Sequence, residues 1–119
     1  MSKQEEFDPA PPSTDQLDAL RGLFPMMSDR AFVTYMKDSS MLGVGIAPGA
    51  LLIIEPHGAC ENGKTVLAFH QGEHLVRSLY TYRDYRIELR SANDRFETLY
   101  VDPLDLRIDG IVTVVVQIS

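Results

Sequence analysis

A single cysteine, Cys60, in 119 residues excludes an internal disulfide and fits a reducing, cytoplasmic setting. Basic residues are scarce: 11 Lys and Arg stand against 17 Asp and Glu, for a formal net charge of −6. A protein that neutralises a phosphate backbone needs a basic patch, and here cationic residues never gather beyond a local pair, so no direct nucleic-acid contact is expected. Long hydrophobic runs are missing as well. The longest, residues 111–116, is interrupted by Thr113 and has the length of a strand, far short of a membrane span. The opening Met1-Ser2-Lys3-Gln4-Glu5-Glu6 is polar, without the apolar stretch of a signal peptide. What is present is ordinary for a soluble domain: 45% hydrophobic and 24% charged residues, enough chain for one core without metal or disulfide support. No cofactor, metal or membrane is expected.

Residues 1–12 combine charge with Pro9, Pro11 and Pro12 and read as a flexible arm. Residues 13–119 read as one domain. Ser13 followed by Gln16 is a capping box opening a short helix with Leu17, Leu20 and Phe24 on one face, which ends before Pro25. Beyond it the pattern turns to strands. Residues 31–36 are rich in β-formers, and 51–54 is a continuous apolar run of buried-strand type. Residues 65–70 and 74–80 flank Gln71-Gly72-Glu73, a hairpin connection. Tyr85, Ile87 and Leu89 alternate with polar residues, as do Leu104, Leu106 and Ile108, predicting two half-buried strands. Gly110 marks a bulge or kink in the last of them. The fold class is therefore mostly β with one short N-terminal helix.

Two segments carry a resemblance. Asp38-Ser39-Ser40-Met41, then Gly45-Ile46-Ala47-Pro48-Gly49-Ala50-Leu51-Leu52-Ile53-Ile54, resembles the nucleophile segment of the LexA/UmuD self-cleaving proteins, peptidase family S24, where it runs roughly G-D-S-M, a loop, then G-I-x-x-G-D-L-L-I-V. Gly72-Glu73-His74-Leu75-Val76-Arg77-Ser78-Leu79 is similar to the family's G-x-x-x-V-K-[KR]-L strand, whose first lysine deprotonates the serine. Ser91-Ala92-Asn93-Asp94-Arg95-Phe96 resembles its P-x-N-x-x-[YF] turn, and residues 104–116 its closing strand. The likeness covers roughly residues 7–118. It implies a compact, curved β-fold of the LexA/signal-peptidase type (β-clip-like) that dimerises partly through its C-terminal strand.

The departures from that pattern concern chemistry. Ser40 occupies the nucleophile position and Arg77, thirty-seven residues on, the position of the general-base lysine. Lysine serves as a base once its pKa is lowered, whereas arginine keeps its proton and has no lone pair to offer. Asp38 stands where a glycine is usual, which disfavours an oxyanion hole, and Ala50 and Lys64 replace two acidic positions. A serine without activation is the expectation. The first residues contain no Ala-Gly or Cys-Gly pair, Phe7-Asp8-Pro9 resembles the start of a processed UmuD, and no helix-turn-helix precedes the domain. The resemblance thus implies a catalytically inactive, homodimeric UmuD-like accessory protein of the SOS response and translesion synthesis. Its partners would be a Y-family (UmuC-type) polymerase and, by extension, the recombinase filament or sliding clamp. The alternatives are an S24-type serine peptidase with a non-standard base, and a stand-alone antagonist that heterodimerises with LexA- or UmuD-type proteins.

Three further signals have plainer explanations. His70-Gln71-Gly72-Glu73-His74 matches the zinc string H-x-x-E-H, but that chemistry needs a helix, and this string spans a hairpin turn. Cys60 with His57 would be a dyad only in electropositive surroundings, and Glu61 opposes that. Tyr80, Tyr82, Tyr85 and Tyr100 suggest a stacking platform, yet read more simply as strand and dimer-interface packing.

Overall fold

A computed structural model describes residues 12–56, 58 and 60–117. The expected arm falls almost wholly outside them, as does His57. The chain runs through α1 (Thr14–Leu23), β1 (Phe32–Tyr35), β2 (Leu51–Glu55), β3 (Thr65–His70), β4 (Glu73–Thr81), β5 (Ile87–Arg90), β6 (Leu99–Val101) and β7 (Leu106–Val116). The architecture is predominantly β with one short N-terminal helix. All neighbouring strands are antiparallel, in the order β1-β2-β7-β3-β4-β5-β6.

Local chemistry accounts for the element ends. The Ser13 hydroxyl accepts from the Gln16 amide at 3.2 Å while the Gln16 side chain accepts from the Ser13 amide at 2.7 Å, the reciprocal box that satisfies two orphan donors. None of α1's residues is fully buried, so the helix stays outside the core. The β3–β4 connection is tighter than expected. Only Gln71 and Gly72 lie between the strands, and both have positive φ, +50° and +82°, the mirror-image turn that suits strand twist.

The last strand does the most to shape the molecule. Its first half pairs with β3 and its second half with β2, with register shifts on both sides: Asp109 is the extra residue opposite β3 and Thr113 opposite β2. Such bulges bend a strand and re-aim side chains, as the sequence suggests at Gly110. That glycine is buried, and a Cβ on it would lie 2.5 Å from Ile54 Cγ2 and 2.8 Å from the Glu55 carbonyl oxygen. Folded around this bend, the sheet encloses two apolar clusters. One holds Met36, Met41, Ile46, Leu52, Ile54, Leu67 and Val76, and the other Val66, Ala68, Leu79, Leu89, Val101 and Ile111.

Two alternation readings need correction. Tyr85 is not a strand residue. It sits in the β4–β5 turn with φ +66° and is 82% exposed, because the Tyr82 and Arg86 backbones bond across it and close the hairpin early. Leu104 lies in a 3-10 turn capped by the Asp102 carboxylate and is 93% exposed. The cap, not the apolar period, sets the chain direction there. Strand β6 carried no alternation signal that distinguished it from a loop.

Candidate functional site

The long connection between β1 and β2 carries Ser40 and is pinned at many points. The Met36 amide donates to the Ala50 carbonyl at 2.8 Å and the Gly49 amide to the Met36 carbonyl at 2.9 Å, closing the base of the loop. At its centre a 3-10 turn (Leu42–Val44) ends at Gly45 in the left-handed region, φ +86°, a conformation that glycine adopts without steric cost. The residue 91–96 segment holds the other side. The Ala92 amide donates to the Ser40 carbonyl at 2.7 Å, the Gly43 amide to the Ala92 carbonyl at 2.6 Å, and Asn93 Nδ2 to the Ser39 carbonyl at 2.8 Å. Far along the chain, the Gln117 side chain accepts from the Ala47 amide at 2.8 Å and donates to the Gly45 carbonyl at 2.7 Å, acting as a strand of one residue.

This scaffold brings Ser40 and Arg77 together. Arg77 Nη1 donates to Ser40 Oγ at 2.7 Å and to the Val76 carbonyl at 2.9 Å. Ser40 is completely buried and Arg77 is 5% exposed. The guanidinium carbon stands 5.6 Å from the centre of the Phe96 ring, and Arg77 Nε has no hydrogen-bond partner among the described residues. Burial pushes the guanidinium's pKa below its ordinary value, with the charges of Asp38 and Glu73 opposing. The Asp38 carboxylate is itself engaged at the same place: its Oδ1 accepts the Ser40 backbone amide at 2.9 Å. Chemically, the serine oxygen receives a hydrogen bond from a cation, and the amide beside it is taken by an anion.

Next to this pair lies a cleft of about 250 Å³, walled by residues 32–38 and 74–76 together with Leu67 and Asp109. Asp38 lines it, whereas the buried Ser40 and Arg77 do not. Near the Asp109 wall, His74 Nε2 stands 3.0 Å from Asp109 Oδ2, and Arg107 Nε donates to Asp109 Oδ1 at 2.6 Å. Arg107's hydrogen bond, more than its charge or His74, holds the Asp109 carboxyl below the usual range, against a smaller opposing effect of burial. The H-x-x-E-H string spans the hairpin, with His70 and Glu73 opposite one another and His74 opposite Phe69. Among the described residues no cluster of three or more His, Cys, Asp or Glu is arranged to hold a metal. Cys60 is exposed, and no helix of the described residues is long and apolar enough to cross a membrane. Tyr85 and Tyr100 are exposed on the β4–β6 end of the sheet, while Tyr80 carries the Arg90 guanidinium 3.7 Å above its ring.

Sequence reasoning singled out Ser40, Arg77 and Asp38. It assigned no role to Asn93, Phe96 or Gln117, whose contacts join segments more than fifty residues apart in the case of Asn93 and Gln117. The turn signature around Asn93 was the one available signal.

The geometry places a buried serine, Ser40 on a loop, against Arg77 on β4. A family model described as Peptidase S24-like matches residues 4–113. The chain belongs to that family. Curated relatives of this S24-like chain include the LexA repressor of Syntrophobacter fumaroxidans, 39% identical over 80 residues, covering 67% of this chain and 36% of the relative. The LexA repressor of Syntrophotalea carbinolica is 35% identical over 91 residues, 76% of this chain and 45% of the relative. That of Moorella thermoacetica is 34% identical over 87 residues, 69% and 42%. The S24-like chain thus spans less than half the length of these relatives. They also correct the functional expectation. The matched proteins carry the name LexA repressor, so the UmuD-like, polymerase-binding reading is overturned. It rested on the likeness of Phe7-Asp8-Pro9 to the start of a processed UmuD and on the lack of an Ala-Gly or Cys-Gly pair in the first residues.

Proposed function

We propose that this chain is a LexA-type regulatory domain that keeps the S24 fold, holds its serine without activating it, and acts by pairing with a second S24 chain, its own copy or a LexA-type repressor. The observation that carries this reading is the hydrogen bond from Arg77 Nη1 to Ser40 Oγ at 2.7 Å. A general base must offer a lone pair to the serine proton. The arginine offers a proton instead, and its retention of charge even when its pKa is depressed by burial leaves nothing to accept the serine's.

The pairing half of the reading draws support from β7. The β3 ladder stops at Ile111, while β2 continues along β7 to Val116. Among the described residues, 112–116 are therefore laddered on one side, and an unpaired strand edge is a template for another chain. The family resemblance implies dimerisation partly through this strand, which supports the reading. An antagonist built this way would compete for a repressor's dimer edge without being consumed by cleavage.

The test has two parts. Purified protein is exposed near pH 7 to a serine-reactive fluorophosphonate, then mixed with a LexA repressor from one of the relatives and examined by native mass spectrometry. The expected result is no adduct on Ser40 together with mixed dimers. Stoichiometric labelling of Ser40 would establish the competing reading, a serine hydrolase with another base. Unlabelled protein that exchanges with neither itself nor the repressor would sink the pairing reading.

A further inference from the structure

Serine acyl transfer needs two separate provisions: a base for the hydroxyl proton, and hydrogen-bond donors aimed at the oxygen that becomes negative as the tetrahedral intermediate forms. The nucleophile's own backbone amide is well placed for the second task, because it lies within a few ångströms of the attacking oxygen. In this protein that amide is not available. The Ser40 N–H points to Asp38 Oδ1 at 2.9 Å, and the acceptor is a full anion in a half-buried position on the cleft wall. The two contacts are made to different groups of Ser40: Asp38, in the β1–β2 loop, occupies the amide, while Arg77 occupies the hydroxyl from β4, and the Asp38 charge also acts on the guanidinium.

We infer that Asp38 is a second lock on Ser40, made through a contact distinct from that of Arg77, which keeps the serine's amide from serving as an oxyanion donor. Asp38 is thus a positioning residue acting through the Ser40 backbone, and restoring a lysine alone leaves the serine slow. The inference rests on the reading of Ser40 as an unactivated serine and extends it from the base to the electrophilic side of the site. It also assigns the two properties of Asp38 different weights. Its carboxylate charge would repel a developing oxyanion, but its geometry alone, an acceptor already seated on the amide, is sufficient to block the donor.

That separation makes the inference testable. Arg77→Lys supplies an amine that takes the Ser40 proton as the Ser40 Oγ–phosphorus bond forms on a fluorophosphonate and fluoride leaves. Labelling rates are measured for Arg77→Lys alone, Arg77→Lys with Asp38→Gly, and Arg77→Lys with Asp38→Asn, across pH 6–10 (a range of about four units around a lowered lysine pKa). Asparagine keeps an oxygen acceptor at the same reach without the charge, whereas glycine removes the acceptor. The Gly double variant should label about a hundredfold faster than Arg77→Lys, the low end of what one oxyanion donor contributes, while the Asn double variant stays within about threefold of it. Circular dichroism and thermal unfolding confirm that each variant is folded. Equal acceleration by Asn and Gly would overturn the inference in favour of simple charge repulsion. No acceleration in a folded Gly double variant would overturn it outright. The wild-type protein run beside them tells the failures apart, since labelling there defeats the unactivated-serine reading and not the second lock.

Discussion

Asp109 shows how one bulged residue can gather charge at the wall of a cleft. As the unpaired residue of β7 opposite β3, it turns its carboxylate toward His74 and Arg107 at the cleft, and only 18% of its side chain is exposed. Arg107's hydrogen bond, chiefly, lowers its folded-state pKa. A carboxyl whose pKa is lower folded than unfolded adds stability above the unfolded value, and that contribution is lost as pH falls through the folded value. The unfolded value is near 3.8, so the loss belongs to strongly acidic solution. Asp109→Asn should therefore flatten the fall in unfolding temperature below that pH relative to wild type, measured by a thermal series from pH 5 to pH 2.5 (about one to two units either side). Parallel curves for the two proteins would show that the contact is electrostatically idle. At this scale the sequence was informative about chemistry and poor on company. The types of Ser40, Arg77 and Asp38 raise the expectation of a serine without its base, and the structure brings the three together. Which atoms they meet depended on Ala92, Asn93 and Gln117, whose loops approach only in the folded chain. A resemblance spread over most of the chain also proved safer than one at its first residues, where Phe7-Asp8-Pro9 led to a function that the LexA-named relatives overturn.

Elements follow the same division between local and non-local causes. The helix with its capping box and the β3–β4 hairpin were legible because their determinants are neighbours in sequence. So were β1 and β2, whose apolar runs have strand length and are bounded by turn residues. Alternation failed at Tyr85 and Leu104, where a backbone-closed turn and an Asp102 cap overrode it, and β6 needed β5 beside it to exist as a strand. Gly110 was visible as a break, but its reason was not: it sits where β7 leaves one partner strand for another, with β2 packed against its Cα. Substituting alanine puts a methyl group against Ile54 Cγ2 and, less forgivingly, against the Glu55 carbonyl. Backbone cannot swing aside as a side-chain tip can. Gly110→Ala should cost about 1–3 kcal/mol by overpacking, lowering the unfolding temperature by roughly 4–12 °C. A thermal midpoint unchanged by the substitution would mean that the bend is not fixed by close packing at this point.

For the molecule as a whole, the bend in β7 joins two apolar clusters in one sheet and, among the described residues, leaves the strand's second half laddered on one side only. Folded monomers usually blunt such an edge with charge or proline. Here the segment reads Val112-Thr113-Val114-Val115-Val116, without either, and Val115 is 36% exposed. An acidic chain with net charge −6 resists indiscriminate association through its overall repulsion, so an uncharged edge on it favours an ordered pairing with one partner over general stickiness. Val115→Lys places a strongly hydrated cation on that edge at a position already open to water, where it need not enter either core. The expected outcome is loss of self-association and of exchange with a LexA repressor, seen as a monomeric mass by light scattering, with the unfolding profile of dilute protein intact. Arg77→Lys, which acts on the buried serine, should leave the mass unchanged. If Val115→Lys kept the wild-type mass while Arg77→Lys altered it, the pairing surface would lie at the cleft and not along β7.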